Sequence, residues 1–138
     1  MSFNTINKTT KLHEDILADE NPSVVEEKLA KLDKNLIDTF LYAVAIRCQN
    51  PSTIDLMVKY GANVNAMYVE GENTVLMALM VPFYKNKQKY LVKPEIVEAL
   101  IKHGADVNAK NDDGKRVLDY AKDRKEIVDL LIKYGAKQ

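Results

Sequence analysis

The chain has 138 residues and a formal net charge of zero, because 20 Lys and Arg balance 20 Asp and Glu. This length fits one domain, and the neutral charge argues against a general nucleic-acid or membrane-surface binder, since both usually carry a basic excess. One cysteine, Cys48, excludes an internal disulfide. With no apolar N-terminal run, it favours a cytoplasmic location, with non-classical export left open.

The N-terminal segment, residues 1–35, contains two short helical patterns. One is KLHEDILA, and the other opens at Asn21-Pro22, where Ser23 and Glu26 have the spacing of a capping box. Both patterns are weaker than those that follow along the chain. We therefore expect this segment to cap the domain or to form a degenerate first repeat.

Residues 36–66 carry the first clear copy of a pattern that recurs along the chain. A short apolar helix, TFLYAVAIRC, is predicted at residues 39–48. An amphipathic helix is predicted to begin at Asn50-Pro51, because proline is tolerated in a first helical turn. Gly61 follows its last apolar residue, where glycine closes a helix in the left-handed conformation. A polar link, ANVNAMYVEGEN, then makes turns.

The second copy, residues 67–109, has the helices TVLMALMV and EIVEALIK and ends at Gly104, 43 positions after Gly61. The next interval is only 31 positions, so the extra residues form an insertion at 81–94, VPFYKNKQKYLVKP. This insertion combines lysines with aromatic residues. It is interpreted first as an extended helix and solvated loop whose aromatics fold onto the stack. An acidic or mixed protein surface is the second interpretation, and single-stranded nucleic acid the third.

The third copy, residues 110–138, has the helices RVLDYAK and EIVDLLIK and ends at Gly135. Positions eight, seven, four and three before each of the three glycines are apolar in eleven of twelve cases. This spacing makes one apolar stripe on each helix. A single helix pair cannot bury its own apolar faces, whereas identical pairs stacked in register can.

Two stretches, EIVEALIKHGADVNAK and DGKRVLDYAKDRKEIVDLLIKYGA, resemble the ankyrin-repeat family. The family phrase runs roughly Gly-x-Thr-Pro-Leu-His-x-Ala and then Ile-Val-x-x-Leu-Leu-x-x-Gly-Ala-Asp-Val-Asn-Ala. The chain departs from it at the Thr-Pro-Leu-His position, where proline and histidine are absent from all three copies, which weakens the expected cap of each first helix. The resemblance implies an all-α fold: a short solenoid of stacked helix-turn-helix repeats with one long insertion, in one domain of residues 1–138.

The resemblance also implies a protein–protein interaction module that contacts its partner through the tips of the links and the concave strip of the first helices, including Ala43, Ala78 and Tyr120. An apolar trio at a link tip, Met67 to Val69, is predicted to supply the anchors. The candidate contact residues are Met67, Tyr68, Val69, Glu70, Lys110, Asn111, Asp112, Tyr120 and, in the insertion, Phe83 and Tyr84.

Two other functions stay open: a small inhibitor or immunity-type protein that blocks one enzyme, and a microbial or viral host-directed regulatory factor. Catalysis is not expected, because His13 lacks the second histidine of a zinc helix and His103 lacks partners at helical spacing. The stretch NDDGK is rejected as a calcium loop, because Ala109 and Tyr120 would stand at ligand positions. The prediction is a chain without metal or cofactor whose partner is another protein, not nucleic acid or a membrane.

Overall fold

The computed structural model describes residues 22–47, 50–68 and 73–137. Its first three helices are α1 (Pro22–Ala30), α2 (Lys34–Arg47) and α3 (Pro51–Lys59), and a short hairpin of β1 (Met67–Tyr68) and β2 (Asn73–Thr74) follows. The remaining elements are α4 (Val75–Leu79), β3 (Phe83–Lys85), β4 (Gln88–Tyr90), α5 (Pro94–Lys102), α6 (Val117–Tyr120) and α7 (Lys125–Lys133). The predicted N-terminal helix KLHEDILA lies outside the described residues.

The helices form two layers. The first helix of each pair packs on the next first helix, in the order α2, α4, α6. The second helices pack in the order α3, α5, α7, and α1 packs against α3 at the start of this layer. Both layers bury apolar side chains of every pair in one core, among them Leu41, Ile54, Leu76, Val97 and Leu131. The predicted helical solenoid is therefore confirmed, and the short strands are confined to two hairpins within the described ranges.

The three second helices end in the same way. Gly61, Gly104 and Gly135 have φ angles of +102°, +97° and +98°. At the middle one, the Gly104 N–H donates to the Ile101 carbonyl at 2.9 Å and the Ala105 N–H donates to the Leu100 carbonyl at 3.1 Å. This is the Schellman arrangement, which satisfies the last carbonyls of a helix. The predicted glycine stops are confirmed.

The helix starts also follow from local sequence. Pro51 and Pro94 are the first residues of α3 and α5, as predicted. Two first helices, α4 and α6, have an N-terminal hydrogen bond despite the absent proline and histidine: at α4 the Thr74 hydroxyl accepts from the Met77 N–H at 3.5 Å. At α6, where Arg116 replaces threonine, the Asp119 carboxylate accepts from the Arg116 N–H at 2.8 Å instead. Both helices are shorter than predicted, with five residues in α4 and four in α6.

The predicted capping box at the start of α1 is wrong. The helix begins at Pro22, which places Ser23 inside it. The Glu26 carboxylate accepts from the Lys59 ammonium and from the Tyr60 hydroxyl, the latter at 2.7 Å. The hydrogen bond from Lys59, and then that from Tyr60, lowers the pKa of Glu26 below its usual value. Glu26 thus ties α1 to the C-terminal end of α3.

The insertion forms a β-hairpin, so the interpretation as an extended helix and loop is wrong. Phe83 pairs with Tyr90, and Lys85 with Gln88. The two turn residues, Asn86 and Lys87, have φ angles of +52° and +64°, as a type I′ turn requires. The backbone twist of a type I′ turn matches the twist of paired strands. The turn therefore favours pairing of the three residues on each side of it. The base of the hairpin is held by Arg124, whose guanidinium donates to the Val92 carbonyl at 2.7 Å.

One asparagine in each of two links connects its repeat to the next. The Asn65 amide donates to the Gly104 carbonyl at 3.0 Å and accepts from the Asp106 N–H at 2.7 Å. Asn108 makes the same two bonds one repeat later, to the Gly135 carbonyl at 3.0 Å and from the Lys137 N–H at 2.8 Å. Because each amide bonds the backbone of the following helix stop, we call these side chains the asparagine clamps. They fix the register between neighbouring repeats.

Candidate partner-binding surface

The first link tip is the β1–β2 hairpin. Met67 pairs with Thr74 and Tyr68 with Asn73, and α4 begins directly after Thr74. The hairpin is therefore fixed to a buried helix, since Thr74 is itself buried. The Met67 side chain is 49% exposed, which is high for a large apolar residue held on a defined backbone.

The second link tip is organised around Asn111. Its carbonyl oxygen Oδ1 accepts from the backbone N–H groups of Asp113 and Lys115, at 3.0 and 2.9 Å. Its own backbone closes the turn, because the Asn111 N–H donates to the Lys115 carbonyl at 2.9 Å. Asn111 is only 8% exposed. The structure thus places Asn111 inside the turn and not on its surface, where the sequence analysis expected it.

The Asn111 side chain also connects the two tips. Its Nδ2 donates to Asn73 Oδ1 at 2.8 Å and to the Tyr120 hydroxyl at 2.7 Å. All four hydrogen-bonding capacities of the amide are thereby used. The network joins the first hairpin, the second turn and the first helix α6, which brings three predicted parts of the contact surface into one continuous region.

Several of the predicted contact residues are exposed on this region. Lys110 and Asp112 are exposed in the second link, and Tyr120 is 37% exposed on α6. Together with Met67 they define the link-tip surface. The surface has two large side chains, Met67 and Tyr120, that a partner can bury. It also has one positive charge, on Lys110, and one negative charge, on Asp112, so its net charge is small.

The electrostatics of α6 are set by Asp119, next to this surface. The hydrogen bond from the Arg116 backbone N–H lowers the pKa of the Asp119 carboxyl below its usual value. Burial opposes this shift, and the cations Lys115 and Lys122 support it. Asp119 is therefore ionised at neutral pH and stabilises the N-terminus of the helix that carries Tyr120.

The structure does not bring Phe83 and Tyr84 to the link-tip surface. The β1–β2 hairpin precedes the N-terminus of α4, whereas the insertion hairpin follows its C-terminus. The two hairpins thus leave opposite ends of the same helix. Tyr84 is exposed at 62%, but it belongs to a separate surface. Val69 and Glu70 lie outside the described residues.

The sequence placed Asn65 and Asn108 at the start of the predicted tips, 65–72 and 108–113, but it did not predict that they clamp neighbouring repeats or that Asn73 bonds Asn111. A signal for the clamps existed, because asparagine recurs four positions after both Gly61 and Gly104. No comparable signal marked Asn73, since its partner stands 38 positions further along the chain. Pairing at such separations is decided by the stack and not by local sequence.

The described ranges contain no group of three or more His, Cys, Asp and Glu side chains that could hold a metal ion. Among the helices within them, none is long and apolar enough to cross a membrane. The arrangement of the link-tip surface offers contact area and hydrogen bonds, held on packed helices.

A family model for ankyrin repeats matches residues 43–138 of the chain as three copies. The match begins within α2 and includes every element of the link-tip surface. No curated protein matches the chain.

Proposed function

The chain belongs to the ankyrin-repeat family, whose members generally serve as protein–protein interaction modules, and from this premise we propose that it binds another protein through the link-tip surface. The observation that carries the proposal is Met67, an apolar side chain left 49% exposed on a hairpin that the fold holds in place. Ankyrin repeats are typically not enzymes, and we propose a binding role without catalysis here.

Both link tips are held in place before a partner binds. The hairpin is anchored by buried Thr74, and the second tip by the saturated amide of Asn111. Binding therefore costs little conformational entropy at these positions. Met and Tyr are enriched in the cores of interfaces, whereas Lys is depleted there. Met67 and Tyr120 are thus the anchors, and Lys110 and Asp112 lie at the rim.

The insertion hairpin has a different part in the proposal. Lys87 and Lys89 are exposed near its tip, and no acidic residue lies between Asn73 and Pro94. Because the insertion hairpin follows the C-terminal end of α4, its lysines lie away from the link-tip surface. Charges placed in this way raise the association rate of an acidic partner and add less to the final affinity.

The test compares two apolar-to-alanine variants with similar exposure at opposite ends of α4. Met67→Ala changes the link-tip surface, and Val81→Ala, where the side chain is 55% exposed, is the matched control. Each variant and the wild type capture proteins from native lysate, and quantitative mass spectrometry compares the amounts. We expect one partner to be retained by Val81→Ala and strongly reduced with Met67→Ala. Equal retention by both variants would contradict the assignment of the surface.

A further inference from the structure

The C-terminal face of the stack carries a groove that shares no residue with the link-tip surface. It lies between α6 and α7, with a volume of about 420 Å³. Its floor consists of Leu118, Val128 and Ile132. Ile132 is 38% exposed, although most large apolar side chains of the described residues are buried or half-buried. Exposure of such an apolar floor to water is unfavourable, so its burial against a partner would be favourable.

The inner repeats show what such a floor accommodates. Val128 stands at the position that Ile54 and Val97 hold in the preceding repeats, and both of those are fully buried. Leu118 stands at the position of Leu76, which is also buried. In each inner repeat, the helix pair that follows covers these positions. The groove therefore has the shape of a surface that receives helices.

Charged residues nevertheless distinguish this face from an ordinary inner one. Where the second repeat has Met77 and Met80, both buried, the third has Asp119 and Lys122, both exposed. Another repeat of the same apolar kind would bury these two charges without partners, which is costly. The face is thus unsuited to a further copy of the same interface, and an occupant has to match its charges.

The rim of the groove is mainly positive. Arg116, Lys122 and Lys137 line it, against one carboxylate, that of Asp119. That carboxylate already accepts a hydrogen bond from the Arg116 backbone at 2.8 Å. The rim therefore complements carboxylates.

From these observations we propose that the C-terminal groove binds an acidic amphipathic helix of a partner protein. The apolar side of this helix covers Leu118, Val128 and Ile132. Its flanking Asp or Glu side chains pair with Arg116 and Lys122. This contact uses none of the residues that define the link-tip surface, although both surfaces include residues of α6.

The test uses two synthetic helical peptides of about 18 residues, long enough to form several helical turns. Both carry leucines at helical spacing, and the flanking positions are Glu in one and Lys in the other. Binding is measured by titration calorimetry, and amide chemical shifts locate the site. We expect the Glu peptide to bind with shifts centred on Leu118, Val128 and Ile132, and the Lys peptide to bind at least about tenfold more weakly.

Two variants sharpen the result. Ile132→Asp introduces a charge on the floor, and Val81→Asp is the control at an exposed apolar position elsewhere; thermal melting confirms that both fold. We expect only Ile132→Asp to abolish binding of the Glu peptide. Lys122→Glu combined with Lys137→Glu is expected to reverse the preference between the two peptides.

Three outcomes would overturn the proposal. One is no detectable binding of either peptide, and another is equal binding of both. The third is sedimentation of the unliganded chain as a dimer that Ile132→Asp converts to monomers, because the groove would then be occupied by a second copy.

Discussion

Lys87 adopts a backbone conformation that side chains other than glycine rarely take, with φ at +64°. In a type I′ turn both central residues have positive φ, and Asn-Gly is the preferred pair. The chain has Asn86-Lys87 there, so the second position carries a Cβ penalty of about 1 kcal/mol or more. Lys87→Gly should remove this strain.

We expect Lys87→Gly to stabilise the insertion hairpin by about 0.5 to 1 kcal/mol, because part of the gain is offset by the greater freedom of glycine in the unfolded chain. Slower amide exchange of the Gln88 to Tyr90 backbone would show it. Lys89→Gly at a strand position is the control and should destabilise the same amides. Faster exchange in Lys87→Gly would show that the turn does not require positive φ at this position.

Gly104 and Gly135 have nearly the same φ angle, +97° and +98°, and a Cβ built on either would meet no atom within 4 Å. At each position the Cβ of valine therefore finds open space, and the substitution carries a backbone strain of about 1 to 2 kcal/mol. Gly104 ends α5, which packs against α3 on one side and α7 on the other, whereas Gly135 ends α7, for which the described residues show a second-layer neighbour on one side, α5. We expect a larger loss of unfolding free energy for Gly104→Val, measured by denaturant midpoints. Equal losses would contradict this reasoning.

At the scale of elements, the asparagine clamps hold neighbouring repeats in register. Asn65→Ala removes a donor and an acceptor and leaves the Gly104 carbonyl and the Asp106 N–H without that partner. We expect a loss of about 1 to 2 kcal/mol in unfolding free energy. Asn63→Ala is the matched control, since the Asn63 side chain accepts from the Asn65 N–H inside the same link. A loss for Asn63→Ala as large as that for Asn65→Ala would count against the clamp.

The contact between α1 and α3 predicts an acid-sensitive helix. The pKa of Glu26 is lowered from 4.5 in the folded chain by the bonds from Lys59 and Tyr60. Its stabilising contribution is therefore complete above pH 4.5 and is lost as the pH falls through the lower, folded value. Glu26→Gln should destabilise the protein at neutral pH and have little effect at a pH below both values.

Denaturant midpoints at neutral and acid pH provide this comparison. Glu27→Gln is the control, because it removes a carboxylate of the same helix whose partner Lys31 lies 3.4 Å away on an open surface. We expect a smaller difference at neutral pH for this control, since exposed ion pairs contribute little. A destabilisation by Glu26→Gln that stayed constant with pH would show that the carboxylate charge is not what ties α1 to α3.

The helices and their stops could be predicted because their causes are local. An apolar stripe and a glycine at positive φ need only residues within a few positions of each other. The insertion hairpin was missed, since its strands have three residues each and its turn lacks the usual glycine. Asn86 was a partial signal for the turn, but three residues are too few to establish a period of two.

The candidate site also has residues that could be predicted from the sequence and residues that could not. Met67 was predicted as an exposed apolar residue at a link tip, from the apolar trio in the link and from the contact surface that the family resemblance implies. Asn111 was predicted as a surface contact, yet its partners Asn73 and Tyr120 come from other elements. Phe83 and Tyr84 were predicted to belong to the same contact surface, yet the insertion hairpin leaves the opposite end of α4 from the β1–β2 hairpin.

On the scale of the whole molecule, a stack of repeats is stabilised by contacts between neighbouring repeats. Its free energy of unfolding therefore depends on each successive interface. The link-tip surface spans the interface between the second and third repeats and depends on the register there. The positive insertion hairpin lies apart from it. In the function that we propose, the link-tip surface provides affinity through apolar side chains, and the lysines of the insertion hairpin raise the association rate.

The most direct test of this division is the binding kinetics of the captured partner at two salt concentrations. We predict that Met67→Ala weakens affinity by about 1 to 3 kcal/mol, mainly through faster dissociation. Lys87→Gln combined with Lys89→Gln should slow association and reduce its salt dependence, with little change in dissociation. If Met67→Ala binds normally while the lysine variant loses the partner, the insertion hairpin is the main contact and the proposed surface is wrong.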